Sequence, residues 1–250
     1  MDSARNDDAR ADGAANEGAG NHSAGNHSAG NGTAAAGEPF SARLRAATWS
    51  DHGDNETSAY MSALVEGRLT RDEYAVLVAQ LHPVYELLEA AADRMAPDPV
   101  AGRFDLPGLR RRDALEADLA FFYGPRWRAR IEPNATTGRY CDRLSEVCFG
   151  WPGGFVAHHY TRYMGDLSGG QYIGVQVRKT LDLSAGDDGV RFYRFPGKPK
   201  AYKDRYRGLL DAAPWDAAEQ DRVIDEVKAA YRLNAAVTEE LGESLSPSAA

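Results

Sequence analysis

The residues able to do chemistry in this chain are few. Of its six histidines, His22 and His27 fall in a near-repeat of GNHSAG, inside a Gly-, Ala- and Asn-rich stretch with little apolar surface to bury. That leaves His52, His82, His158 and His159. No Glu-x-x-His pair appears, which argues against a di-iron carboxylate bundle. There is no H-E-x-x-H for zinc, and the histidines and cysteines lack the spacing of a structural metal site. Neither a Walker phosphate loop nor a nucleophile elbow is present. A C-x-x-C-H motif for covalent cofactor attachment is missing as well. A lone axial ligand leaves no local spacing rule, so spacing does not choose among the four histidines.

A second group lies in FVAHHYTRYMGDLSGGQYIG, Phe155 to Gly174. Val156, Tyr160, Tyr163 and Leu167 recur three or four residues apart, and Ile173, Val177 and Leu181 continue the rhythm, so both ends read as helix. Gly165, Gly169, Gly170 and Gly174 interrupt it. Each glycine costs a helix interior about 1 kcal/mol relative to alanine, and four of them ask for a reason. Gly165 and Gly169 share a face and leave a bare strip of backbone there. Such a strip serves close packing against another helix, or it lets a flat ligand approach. A third group is KPKAYKDRYR, with Lys198, Lys200, Lys203, Arg205 and Arg207. Lys203 and Arg207 share a helical face, which is either a solvated basic surface or a pair of cations for a ligand's carboxylates. Arg45 could join them.

The elements that must position these residues are helical. Ser41 is the expected cap of a first helix with Leu44 and Thr48 inward. Ser58 to Glu66 reads as a short helix closed by Gly67. Thr70 and Glu73 form a capping box for a longer one carrying Tyr74, Leu77, Leu81, Tyr85 and Leu88, with Pro83 expected to bend it. Further helices are expected to end near Gly124, to open at Thr136 or Thr137, to run from Pro199 to Asp211, and to fill the chain from Trp215 to about Gly242. No run of alternating strands appears. The fold class is therefore all-α, with about eight helices. Residues 1–39 are expected to be a disordered low-complexity segment, 40–242 one helical domain, and 243–250 a short disordered end.

A net charge of −8 argues against a general nucleic-acid binder. No apolar run approaches the roughly 20 residues of a membrane span, and no secretory signal is visible. Cys141 and Cys148 would stand roughly 10 Å apart along one helix, too far for a disulfide. Reduced thiols fit a cytoplasmic protein, and a monomer is the default expectation.

Tyr160 to Gln171, YTRYMGDLSGGQ, closely resembles the signature of the haem oxygenases. The resemblance extends over about Ser41 to Leu241. Thr48 to Glu56 is similar to the segment that carries that family's proximal histidine, with His52 at the ligand position and Glu56 four residues on. Gly67 to Thr70, the helix through Tyr85, Tyr202 to Arg207, and the last helix with Asn234 also resemble the family. Its fold would clamp haem between a proximal helix and a kinked, glycine-rich distal helix.

The resemblance implies a role for each residue. His52 would be the axial ligand of the haem iron, and Glu56 would orient its other ring nitrogen. Gly165 and Gly169 would admit the porphyrin face. Asp166 would hold a water network beside bound dioxygen, with Tyr85 and Asn234 in that network. Arg45, Tyr160, Lys203 and Arg207 would bind the haem propionates. At the position of Arg45 the family usually has lysine, which pairs with a propionate differently. Met164 and Pro83 also vary from commoner family residues. The implied reaction cleaves haem b, both substrate and cofactor, to biliverdin, carbon monoxide and ferrous iron. It takes dioxygen and electrons from an external donor, a soluble ferredoxin or a flavoprotein reductase. The same fold without turnover would be a haem storage, transfer or sensor protein.

Overall fold

The computed structural model describes residues 37–48, 58–183 and 188–246. The expectations for residues 1–36, for His52 and Glu56, and for 247–250 fall outside the described residues. Among the described residues there is no strand. The α-helices are α1 (Phe40–Ala47), α2 (Ala59–Glu66), α3 (Arg71–Met95), α4 (Arg112–Tyr123), α5 (Ala135–Val147), α6 (Pro152–Gly165), α7 (Gln171–Thr180), α8 (Pro199–Asp211) and α9 (Ala217–Glu243). A single π turn, Asp166–Gly170, joins α6 to α7 without a break in the helical path. Counted as one rod, these two bring the described helices to the expected eight.

Local chemistry explains most of the boundaries. The Thr70 hydroxyl accepts from the Glu73 amide, and the Glu73 carboxylate accepts from the Thr70 amide at 2.7 Å, closing the capping box of α3. Gly67 ends α2 in the left-handed region, φ 72°, where a side chain would be strained. Helix α3 passes through Pro83 without ending.

Two expected caps and one expected helix start are corrected. Pro39, not Ser41, precedes α1, because Ser41 turns its amide and hydroxyl to Asp211 on α8 at 2.8 and 3.1 Å. Asn134, not Thr136 or Thr137, caps α5, with its side-chain oxygen 2.8 Å from the Thr137 amide. The last helix, expected from Trp215, begins at Ala217, and Asp216 caps it through the Glu219 amide at 2.8 Å. At the far end, α9 reaches Glu243, and the Ser246 amide donates to Glu73 at 2.8 Å.

The core runs between α3, α6 and α9. Leu77, Leu88, Phe155, Val156, Val223 and Val227 are among its buried side chains. Helix α6 packs along α9, while α8 packs against both α1 and the π turn. The basic helix and the glycine-rich turn are thereby set side by side.

Candidate active site

The π turn divides the four glycines into two pairs with different partners. A Cβ built on Gly165 or Gly169 meets nothing within 4 Å among the described residues. A Cβ on Gly170 would stand 3.2 Å from the Tyr193 ring, and one on Gly174 would stand 2.8 Å from the Tyr193 Cβ. The two pairs therefore differ in what surrounds them. Gly170 and Gly174 are small because an aromatic side chain packs on them. Among the described residues nothing covers the backbone at Gly165 and Gly169, and π turns of this kind are frequent at functional sites.

Tyr193 is held in turn by its own supports. The Gln171 side chain donates to the Tyr193 carbonyl at 2.7 Å. The fully buried Asp118 carboxylate accepts from the Arg191 amide at 3.0 Å and the Phe192 amide at 2.8 Å. Burial pushes the Asp118 carboxyl up to about 6, against the pull of those amides. Phe192, fixed by the same turn, lies edge-on to Tyr85 with ring centroids 5.2 Å apart.

Two clefts adjoin along the bare strip and share Gly165, Ser168 and Tyr231. The first, of about 250 Å³, is lined by Arg45, Tyr160, Lys203 and Arg207. The Lys203 ammonium reaches the Ser168 hydroxyl at 3.4 Å. The second, of about 200 Å³, has apolar walls from Leu77, Leu81, Ile173 and Val237, together with Asp166 and Asn234. One end of the combined space is cationic and the other is apolar around a buried acid.

That acid sits in a closed polar cluster. The Tyr85 hydroxyl donates to the Asp166 carboxylate, and Arg162 Nε donates to the Tyr85 oxygen at 3.2 Å. Arg162 Nη1 donates to the Asn234 side-chain oxygen. Burial raises the Asp166 pKa, and Arg162 and the Tyr85 hydroxyl pull it back down. Burial likewise holds the Tyr85 phenol well above its usual value, so it remains a donor. Burial opposes the Arg162 cation, but Tyr85 and Asp166 beside it keep its pKa above the ordinary value.

The structure thus brings together Asp166, Gly165, Gly169, Tyr85, Asn234, Arg45, Tyr160, Lys203 and Arg207. Sequence reasoning missed Arg162, although it lies inside the signature stretch. Its position four residues before Asp166, on the same helical face, was the available signal.

The described histidines all point elsewhere. His158 pairs with Glu226 at 2.9 Å, and His159 bonds the Tyr206 hydroxyl at 3.1 Å with burial pushing its pKa down to about 3. His82 packs on Trp127, ring centroids 4.8 Å apart. None of the three lines either cleft.

Residues 38–240 match the family model described as heme oxygenase. The chain belongs to the haem oxygenase family. It is 39% identical over 211 residues to heme oxygenase 1 of Homo sapiens, covering 83% of this chain and 73% of that protein. It is 35% identical over 204 residues to heme oxygenase 2 of a Synechocystis species, covering 80% and 81%. The crystal structure of Synechocystis heme oxygenase-1 in complex with heme superposes with a TM-score of 0.77 at 32% identity, over 82% of this chain and 92% of that one. Family membership and fold class agree with the sequence resemblance.

Proposed function

We propose that this haem oxygenase binds haem b along the Gly165–Gly169 strip and cleaves it oxidatively to biliverdin, carbon monoxide and ferrous iron. The observation that carries the placement is the pairing of a bare backbone strip with a cationic cleft at one end and buried Asp166 at the other. These residues fit a flat, apolar ring bearing carboxylates on one edge. Lys203, Arg207, Arg45 and the Tyr160 hydroxyl receive the propionates. Gly165 and Gly169 let the π-turn backbone come within contact distance of the ring face. By the family resemblance, His52 would hold the haem iron through a ring nitrogen and Glu56 would orient that ring; both lie outside the described residues. With His82, His158 and His159 committed to the core, no described histidine competes for that role.

Bound haem supplies the iron and the oxidisable macrocycle on which dioxygen and external electrons act. The chain supplies position and protons. Asp166, fixed by Tyr85 and through it by Arg162, holds water at the open face of the strip and passes protons from it. Asn234 fixes the other arm of Arg162, so the acid, the phenol and the cation move as one unit. Asp166 is the one carboxyl group among the described residues that line the two clefts, which favours it as the group that delivers protons.

A soluble ferredoxin or flavoprotein reductase provides the electrons, and the protein acts as a cytoplasmic monomer. The free thiols of Cys141 and Cys148 are consistent with a reducing compartment. No described helix is long and apolar enough to cross a membrane.

The test is direct. Add haemin to the purified chain, record the Soret band, then supply a reductant and air. Loss of the band with appearance of a bilin spectrum is expected. A stable Soret band under reducing, aerobic conditions would refute turnover, and no spectral change on adding haemin would refute binding.

A further inference from the structure

We propose that Asp204 is an internal competitor for the ligand's carboxylates, occupying Arg207 and so setting how tightly the cleft holds a tetrapyrrole. The proposal rests on reading Arg207 and Lys203 as propionate anchors. Asp204 lies on α8 within a turn of two cations. Its Oδ2 accepts from the Lys200 ammonium at 2.5 Å, and its Oδ1 accepts from Arg207 Nη1 at 3.1 Å. The Lys200 hydrogen bond first, and then the charges of Lys200, Arg207 and Lys203, hold the Asp204 carboxyl below the usual carboxylate range.

Arg207 lines the first cleft, while Asp204 and Lys200 do not. The guanidinium that would receive a propionate therefore already carries a carboxylate from its own helix. A guanidinium fork engages one carboxylate fully or divides its donors between two. Full engagement with a propionate requires release of Asp204, and the exchange replaces one exposed ion pair by another. The gain on binding is reduced by whatever the Asp204 pair contributes.

The ring-opened product keeps both propionates, so the same competition acts on substrate and product alike. Uniform weakening of this kind does not slow a chemical step. It speeds dissociation, which is useful where product release limits turnover.

The experiment compares the full chain with Asp204→Asn, Arg207→Gln and the double variant. The probes are haemin and haemin dimethyl ester, whose propionates carry no charge. Affinity is read from the Soret band, and dissociation from transfer to an excess of apoglobin. Exposed ion pairs contribute little, so Asp204→Asn is expected to tighten haemin binding about two- to fivefold and to slow its release. Affinity for the ester should not change. In the Arg207→Gln background the gain should vanish, because the contested cation is gone.

Equal affinity of the unaltered chain for haemin and its ester would overturn the propionate reading itself. A preference for haemin in the unaltered chain, with no tightening in Asp204→Asn, would overturn the competition alone. So would a weaker Asp204→Asn, which would make Asp204 an orienting partner of Arg207. An equal gain with Arg207 removed would reduce the effect to net charge and would overturn it too.

Discussion

Replacing Gly169 with alanine should make the empty protein more stable and the haem-loaded protein less so. Gly169 is helical, and its added Cβ would meet nothing within 4 Å among the described residues. Removing the backbone freedom of a helical glycine is worth about 0.5–1 kcal/mol. For a domain of this size, that raises the haem-free Tm by about 1–4 °C. Gly174→Ala is the internal control. Its Cβ would fall 2.8 Å from the Tyr193 Cβ and 3.2 Å from two ring carbons. Overpacking of that kind costs about 1–3 kcal/mol and should lower the Tm.

With haem present the order changes. The new methyl at Gly169 stands in the strip where the ring should lie and would push it away by about one C–C bond, about 1.5 Å. A tenfold loss of affinity is a modest expectation for such a displacement. At a haem concentration of about 100 times the wild-type Kd, binding stabilises the wild type by about 2.7 kcal/mol. The tenfold weaker variant gains only about 1.4 kcal/mol under the same conditions. Added to its own advantage of 0.5–1 kcal/mol, the variant still ends about 0.3–0.8 kcal/mol behind. Thermal unfolding followed by circular dichroism, with and without haem, would show the crossover, and Soret titration would give the affinity. A Gly169→Ala protein that stays ahead of wild type in both states would refute the placement of the ring on this strip. Gly169→Ala and Gly174→Ala shifting the haem-free Tm in the same direction would refute the division of the glycines.

Two further outcomes are expected. Tyr85→Phe removes the hydroxyl that donates to Asp166, one of three influences, with the charges of Arg162 and Arg111, that hold that acid's pKa down. Turnover should fall about two- to tenfold, the worth of one hydrogen bond, and the limb of the pH profile set by Asp166 should move to higher pH; a bilin-formation profile that keeps its position on the pH axis would contradict this. Asp118→Asn should change the pH dependence of stability. The Asp118 carboxyl is raised from 3.8 to about 6, so its protonated form contributes stability that is fully present below about pH 4 and lost as pH rises through 6. The wild-type advantage over the variant should therefore shrink by about 2–3 kcal/mol between pH 4 and 7 in denaturant unfolding. A difference independent of pH would show that Asp118 is not titrating in this range.

Much of the fold was legible because helices announce themselves locally. The spacing of Tyr74, Leu77, Leu81 and Leu88, the Thr70–Glu73 box and the closing Gly67 needed no knowledge of the rest of the chain. The bounds of α8 were read as they stand, Pro199–Asp211. Caps failed where a side chain had a distant partner to choose. Ser41 left its own helix for Asp211, and nothing near Ser41 signals that. The site was half legible for a similar reason. The glycines were visible, but dividing them into pairs needed Tyr193, which arrives from an irregular segment about twenty residues downstream. Asp118 was invisible because it acts on the backbone amides of Arg191 and Phe192, and amides carry no sequence signature. Arg162 was visible, and its spacing from Asp166 went unused. The roles of His52 and Glu56 came from family resemblance alone.

The π turn has a consequence for helical phase. An α-helix advances about 100° per residue, and a π turn holds one residue more than the regular path. Everything in α7 is therefore set back by about one residue's rotation relative to an unbroken continuation of α6. The two ends of this rod can be tuned separately, α6 to place Arg162 and α7 to seat Gly174 on Tyr193. Deleting one residue between Asp166 and Gly170 would restore a regular helix and improve its hydrogen bonding. Regularising the turn with every residue kept would instead swing Gly174 away from Tyr193 and carry Tyr172, now 54% exposed, round by about 100°. The extra residue is a phase shifter, and the chain tolerates a poorer helix so that two faces meet two different partners.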